Sequence, residues 1–115
     1  MTDDELRERI MTRLATLAKG GFTRQVNELE GNALADYLKA RLSPTGIYGP
    51  VFSWPGFVGC VVINFPDQMH FMRMPAKELK ALMKIATAGS DVWLQCRAAQ
   101  MYWRMCWLDS QEERK

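Results

Sequence analysis

The stretch DVWLQCRAAQMYWRMCWL, residues 91–108, decides the fold, because it fits either two short strands or one helix. A turn at Ala98-Ala99 would place apolar pairs on one face and most polar side chains on the other, as an antiparallel pair with one solvated face requires. A helix capped by Ser90 would be apolar almost all round. The hairpin is the preferred prediction, and the helix stays open. The inner pairs are Val92–Met105, Leu94–Trp103 and Cys96–Met101, and the outer pairs are Trp93–Arg104, Gln95–Tyr102 and Arg97–Gln100.

The preceding segment also predicts strands. Residues 57–65 are rich in β-branched side chains, and both of their faces are apolar, which is typical of a central strand. Pro66-Asp67 favours a turn, since proline presets its backbone angle and aspartate is common in turns. Residues 69–74 are then the returning strand of a first hairpin.

The N-terminal part predicts helices. Residues 3–19 repeat leucine or isoleucine every three or four positions, and Thr2 with Glu5 forms a capping-box pattern before them. Gly20-Gly21 ends this helix. A second helix is predicted from Thr23 to Leu42. The inner face of the first helix consists of Leu6, Ile10, Leu14 and Leu17, and that of the second of Leu34, Leu38 and Leu42.

A third helix is predicted to start at Pro75 and to stop near Ala88-Gly89, with Leu79, Leu82, Met83 and Ala86 on its inner face. The predicted fold class is therefore α+β. It has a four-stranded antiparallel sheet of two hairpins and about three helices, in the order α-α-β-β-α-β-β. The chain is interpreted as one domain, 1–115, with a helical N-terminal half (1–42), an uncharged loop (43–56), a sheet-plus-helix part (57–109) and a solvated tail (110–115).

Composition and charge narrow the class of protein. The 115 residues are 48% hydrophobic and 24% charged, which is typical of one globular domain that needs no disulfide or metal. The net charge of +2 allows a polyanionic partner without requiring one. No segment resembles a membrane span or a signal peptide, and the cysteine spacing resembles neither a disulfide framework nor a zinc site. We expect an intracellular, cytoplasmic protein with free thiols and no membrane partner.

Catalytic chemistry is not visible in the sequence. His70 is the single histidine, and no nucleophile pattern accompanies it. There is no phosphate-binding glycine loop and no nucleophile-elbow motif. We predict that the protein is not an enzyme and has no catalytic residue, cofactor or metal.

Nucleic-acid binding is the alternative hypothesis. Residues 12–29 have a faint helix-turn-helix pattern, with a recognition helix beginning at Thr23. Glu28 and Glu30 would lie close to DNA and weaken this interpretation. Two amphipathic helices joined by Gly-Gly explain the same residues. The candidate nucleic-acid contacts are Thr23, Arg24, Gln25 and Asn27.

Protein binding is the leading hypothesis. An adaptor, regulator or inhibitor that acts stoichiometrically fits a chain without catalytic motifs, and Tyr, Trp and Arg dominate protein interfaces. These residues occur in the uncharged loop and on the predicted outer face of the second hairpin, although packing roles explain them equally well. A homodimer through an unpaired strand edge stays open. The candidate interface consists of Tyr48, Phe52, Trp54, Trp93, Arg97, Tyr102 and Arg104.

Overall fold

Helices dominate the computed structural model, which describes residues 1–22, 24, 45–46, 49–50 and 53–113. Within these ranges lie five helices: α1 (Asp3–Lys19), α2 (Trp54–Asn64), α3 (Gln68–Met72), α4 (Ala76–Ile85) and α5 (Asp91–Glu113). Two segments of two residues each, β1 (Thr45–Gly46) and β2 (Gly49–Pro50), pair antiparallel. The predicted four-stranded sheet, and with it the α+β class, is wrong. The predicted helix over 23–42 lies outside the described residues except for Arg24.

The first helix, α1, confirms its prediction. Thr2 accepts a hydrogen bond from the backbone N–H of Glu5 at 3.2 Å, so the helix begins where the capping pattern placed it. At the other end, Gly21 has a φ of 83°, which glycine adopts without steric cost. Backbone hydrogen bonds from Gly21 to Ala18 and from Phe22 to Leu17 close a Schellman motif. The predicted stripe of Ile10, Leu14 and Leu17 is buried, and Leu6 is partly buried.

Helix α2 replaces the first predicted strand. The Ser53 hydroxyl accepts from the backbone N–H of Gly56 at 3.2 Å, and Pro55 in the first turn lacks the N–H that would otherwise be unpaired there. Residues 54–62 are all buried. A segment buried on every side has no period of apolar and polar residues, so its pattern cannot separate helix from strand. Burial outweighed the strand propensity of its valines.

The predicted returning strand, 69–74, is also wrong. Its residues form the short helix α3 and the turn after it. The buried Gln68 side chain donates to the backbone oxygen of Gln95 at 3.0 Å, and Gln95 donates to Asp67 at 2.7 Å. These bonds fix α3 against the first half of α5. The indole N–H of Trp103 donates to the backbone oxygen of Met72 at 3.2 Å and fixes it against the second half.

Helix α4 confirms its prediction except at its ends. Pro75 is the residue before the helix, and the helix stops at Ile85 rather than near Gly89. Leu79 is buried, and the other predicted inner residues are partly buried. Gly89, with a φ of 84°, then turns the chain into α5.

Helix α5 is the long central helix of the fold, so the second predicted hairpin is wrong. Ser90 caps it: its hydroxyl accepts from the backbone N–H of Trp93 at 3.4 Å, and its carbonyl accepts from Leu94 at 2.8 Å. The helix packs against α2, α3 and α4. The first half of α5 is enclosed in this way and is apolar almost all round, which is the property that had argued for a hairpin. Ala98 and Ala99, the predicted turn, are fully buried within it.

The C-terminal end of α5 is tied to α1. Arg13 and Asp109 form an ion pair with a 2.5 Å contact, and both side chains are about one-third exposed or less. Helix α5 continues to Glu113, and Ser110 and Gln111 are partly buried. Helix α5 thus extends as far as 113 into the segment that was predicted as a solvated tail. The buried hydrophobic residues of all five described helices form one cluster. The buried polar residues Gln68 and Gln95 are not part of it.

Candidate functional site

The second half of α5 opens onto the surface. Trp103 and Trp107 are 47% and 51% exposed, whereas most residues of the first half are buried. Trp103 and Arg104 follow Gln100 by three and four residues, and Trp107 follows them by four and three, so all four lie on one face of the helix. We call these four residues the Arg-Trp face. Two half-exposed tryptophans on one face are unusual outside binding surfaces.

A cleft adjoins this face. It has a volume of about 310 Å³ and lies between the first turn of α2 and the middle of α5. Of the described residues, those that line it are Trp54, Arg97, Gln100, Met101 and Arg104. The cleft therefore combines two guanidinium groups and one amide with an indole and a thioether.

Trp54 is positioned by the start of α2. Its backbone N–H donates to the carbonyl oxygen of Arg24 at 3.0 Å, and its ring lies 6.1 Å from the ring of Phe22. The guanidinium carbon of Arg24 lies 5.7 Å from the Trp54 ring centroid, within the range of a cation–π contact. Only 6% of Trp54 is exposed, so it acts as a rigid wall rather than a mobile anchor.

The polar groups of the cleft are oriented by contacts along α5. Arg97 donates from Nη1 to Oε1 of Gln100 at 2.9 Å, which leaves the amide nitrogen of Gln100 on the other side of its side chain. Arg104 lies over the ring of Trp107, with 4.6 Å between the guanidinium carbon and the ring centroid. This contact holds the Arg104 charge at the junction of the cleft and the Arg-Trp face.

The structure brings together three residues of the predicted interface. Trp54, Arg97 and Arg104 line the same cleft. Trp93 and Tyr102 were predicted on an outer sheet face, but they are 6% and 4% exposed in the core. The outer-face placement was wrong because it assumed a strand period of two. Tyr48 and Phe52, the other two candidates, lie outside the described residues.

The sequence interpretation missed Gln100, Trp103 and Trp107. The strand period had placed Gln100 opposite Arg97 and had put Trp103 on the inner face. The signal that could have found them is the helical spacing of Arg97, Gln100, Arg104 and Trp107, which are separated by three, four and three residues. In a helix, this spacing aligns them on one face.

The candidate nucleic-acid contacts are mostly untested. Thr23, Gln25 and Asn27 lie outside the described residues. Arg24 is described, and its guanidinium packs against Trp54 beside the cleft. Its position therefore makes it a neighbour of the cleft.

Burial changes the pKa of three titratable groups in the described part of the core. Burial raises the pKa of the Cys60 and Cys96 thiols, which disfavours their reactive thiolate forms. Burial, followed by the neighbouring Cys106, raises the pKa of the Tyr102 hydroxyl. His70 is exposed and its ring lies edge-on to Phe71 at 5.5 Å.

The described residues contain neither a metal-binding cluster nor a helix that could cross a membrane. Among them, no group of three or more His, Cys, Asp or Glu side chains is arranged to hold a metal ion. None of the described helices combines the length and apolar character that a bilayer crossing requires.

Comparison with models of protein families, with curated proteins and with solved structures gave no match. Function is therefore inferred from the chemistry of the cleft and of the Arg-Trp face.

Proposed function

We propose that this protein binds another protein stoichiometrically, without catalysis, and that its contact surface is the Arg-Trp face of α5 with the adjoining cleft. The observation that carries the proposal is the exposure of Trp103 and Trp107 beside Arg104. When a partner covers a half-exposed tryptophan, the apolar surface of its ring is removed from water. This burial stabilises the complex by about 25 cal/mol per Å². Tryptophan and arginine are also the residues that most often carry interface energy.

The rigidity of this surface supports the proposal. Trp103 is held by its hydrogen bond to Met72, and Arg104 is stacked on Trp107. Side chains that are already held in one arrangement lose less conformational entropy when a partner binds. Cys60, Cys96 and Cys106 carry reduced thiols, which supports a reducing, cytoplasmic compartment for this role.

The nucleic-acid alternative has less support. One cleft and its edge hold three cationic side chains, those of Arg24, Arg97 and Arg104. A protein that binds duplex nucleic acid needs cations distributed along the phosphate backbone. The whole chain has a net charge of only +2. Recovery of nucleic acid in place of a protein in the pull-down below would favour this alternative.

Replacing Trp107 by alanine should release the partner in a pull-down from source-cell lysate. Trp107 is exposed and no hydrogen bond to its indole is seen among the described residues, so its loss removes contact area with little effect on the fold. We expect an affinity loss of about 2 kcal/mol, or roughly thirtyfold, if Trp107 is a hot spot. Titration of the captured protein against wild type and Trp107→Ala measures the loss.

Ile63→Ala is the matched control, because Ile63 is 60% exposed on α2 and does not line the cleft. It should retain the partner at the wild-type affinity. Equal capture by wild type and Trp107→Ala would reject the Arg-Trp face as the interface. Loss of the captured material on nuclease treatment would favour nucleic acid instead.

A further inference from the structure

The exposed side of α4 carries a groove of about 450 Å³. Within the described part of the chain, Met74, Glu78, Ala81, Leu82 and Ile85 line it, and no residue of the Arg-Trp face does. We propose that this groove binds an amphipathic helix of a partner protein, with an apolar side chain in the groove and a row of acidic side chains beside it. This second surface goes beyond the proposed function.

The apolar residues of the groove are accessible to a ligand. Ile85 is 82% exposed, the largest exposed fraction among the large hydrophobic residues described. Ala81 is exposed as well, and Met74 and Leu82 are partly exposed. A partner side chain that covered them would remove apolar surface from water, which stabilises a complex. Apolar surface with a charged rim is typical of interaction sites.

A row of three lysines borders the groove on one side. Lys77, Lys80 and Lys84 are exposed and follow one another at spacings of three and four residues, so they lie on one face of α4. Lys77 and Lys84 are each one helical turn from Ala81, which places the row next to the groove.

The charge of this lysine row is not compensated within α4. No aspartate or glutamate lies three or four residues from any of the three lysines. None of the ion pairs among the described residues includes them. Like charges at these spacings destabilise a helix slightly. Acidic side chains of a partner would remove this repulsion, so the row favours an acidic occupant.

Glu78 argues for a protein partner rather than an anionic membrane surface. Its side chain lines the groove among apolar residues. A bilayer that covered this face would place the Glu78 carboxylate in apolar surroundings beside lipid phosphates, which is costly for a charged group. A partner helix can instead supply a basic side chain at this position or leave it open to water.

The lysine row also disfavours a second copy of this chain as the occupant. Two α4 helices that packed antiparallel about a twofold axis would present the same surface to each other. The lysine rows of both copies would then meet along one side of the contact. A helix with acidic residues on that side has the complementary charge.

The test uses the full chain with the peptide acetyl-ELAEILAELAAE-amide and its uncharged analogue acetyl-QLAQILAQLAAQ-amide. As a helix, the first peptide has an apolar stripe with a row of glutamates beside it. Methyl signals of the isoleucines in proton–carbon correlation spectra locate the contact. The glutamate peptide should shift the Ile85 signal and leave that of Ile63 unchanged, because Ile63 is exposed on α2, outside the groove.

Fluorescence anisotropy of the dye-labelled peptides gives their affinities. At low salt, the glutamate peptide should bind about tenfold more tightly than the glutamine peptide, because several exposed ion pairs each contribute modestly. At about 0.5 M salt this preference should largely disappear through screening. Lys77→Gln with Lys84→Gln should abolish the preference. Arg9→Gln with Lys19→Gln removes the same charge from exposed positions of α1 and should keep it.

Ile85→Ser should weaken the binding of both peptides by about tenfold, because the apolar contact is lost. Ile63→Ser is the matched control and should bind both as wild type does. Equal affinities of the two peptides at low salt, or no shift of the Ile85 signal with either, would overturn the inference. A shift with phosphatidylserine vesicles but with neither peptide would overturn it too, as would a dimer that Ile85→Ser dissociates. The pull-down with Trp107→Ala tests the Arg-Trp face separately, so the two proposals can fail independently.

Discussion

The double substitution Ala98→Asn with Ala99→Gly should destabilise the protein by about 3 kcal/mol. Both alanines are fully buried in the middle of α5. Glycine in a helix interior costs about 1 kcal/mol relative to alanine. A buried asparagine amide without hydrogen-bond partners costs about 1–3 kcal/mol more. The sum is a large share of the roughly 5–15 kcal/mol by which small domains are stable.

If residues 91–108 formed a hairpin, the same double substitution would increase the free energy of unfolding. Asn-Gly is the favoured sequence for a two-residue turn, so it would stabilise a hairpin whose turn lies at residues 98–99. Urea unfolding, followed by far-ultraviolet circular dichroism, measures the change. Ala81→Gly, at an exposed position of α4, is the matched control and should lose only about 1 kcal/mol. A stability equal to or above that of wild type in the double variant would contradict a helical α5.

Replacing Phe57 by alanine should cost about 3–5 kcal/mol, the range measured for buried phenylalanines. Phe57 is fully buried in α2, the helix that packs against both α1 and α5. Its removal leaves a cavity that the rigid surroundings fill only in part. Urea unfolding followed by tryptophan fluorescence gives the loss.

Ile63→Ala should instead change the stability by no more than about 0.5 kcal/mol, because the side chain of Ile63 is 60% exposed. In the predicted central strand, residues 57 and 63 would share one buried face, so both substitutions would be costly. Comparable losses in Phe57→Ala and Ile63→Ala would therefore contradict the helical structure of α2.

The helices that the sequence predicts well are those with one solvated face. In α1, the stripe of Ile10, Leu14 and Leu17 alternates with charged residues, and caps mark both ends. In such a segment, the spacing of the apolar residues alone identifies the helix. Helix α4 has a similar apolar stripe and charged outer face. These predictions needed no knowledge of the rest of the molecule.

Helix α2 and the first half of α5 could not be predicted in the same way, because neighbouring helices enclose them. Val58, Val61 and Val62 are individually typical of strands, and all three are buried. In α5, the alternation of Leu94, Gln95 and Cys96 matched a strand period, yet all three are buried in the helix. Tertiary contacts, which a single sequence does not display, decided both segments.

The candidate site was accessible to sequence reasoning only in part. Arg97 and Arg104 were predicted as interface residues because of their residue type. They line the cleft because they lie on one face of a helix, which the strand prediction did not include. Two helical turns take up about seven residues, so Arg97 and Arg104 lie on the same face of the helix. Gln100 lies between them on that face. Trp107 lies on the same face, one helical turn after Arg104. The site is thus a consequence of the helix at 91–113.

The most direct test of this account is a nuclear Overhauser measurement on the isotopically labelled full chain. If α5 forms and builds the cleft, the ring protons of Trp54 will show contacts to the Met101 methyl group, and helical backbone contacts will run unbroken from Arg97 to Arg104. Cross-strand contacts between Trp93 and Arg104, with no contact between Trp54 and Met101, would contradict both the helix and the site.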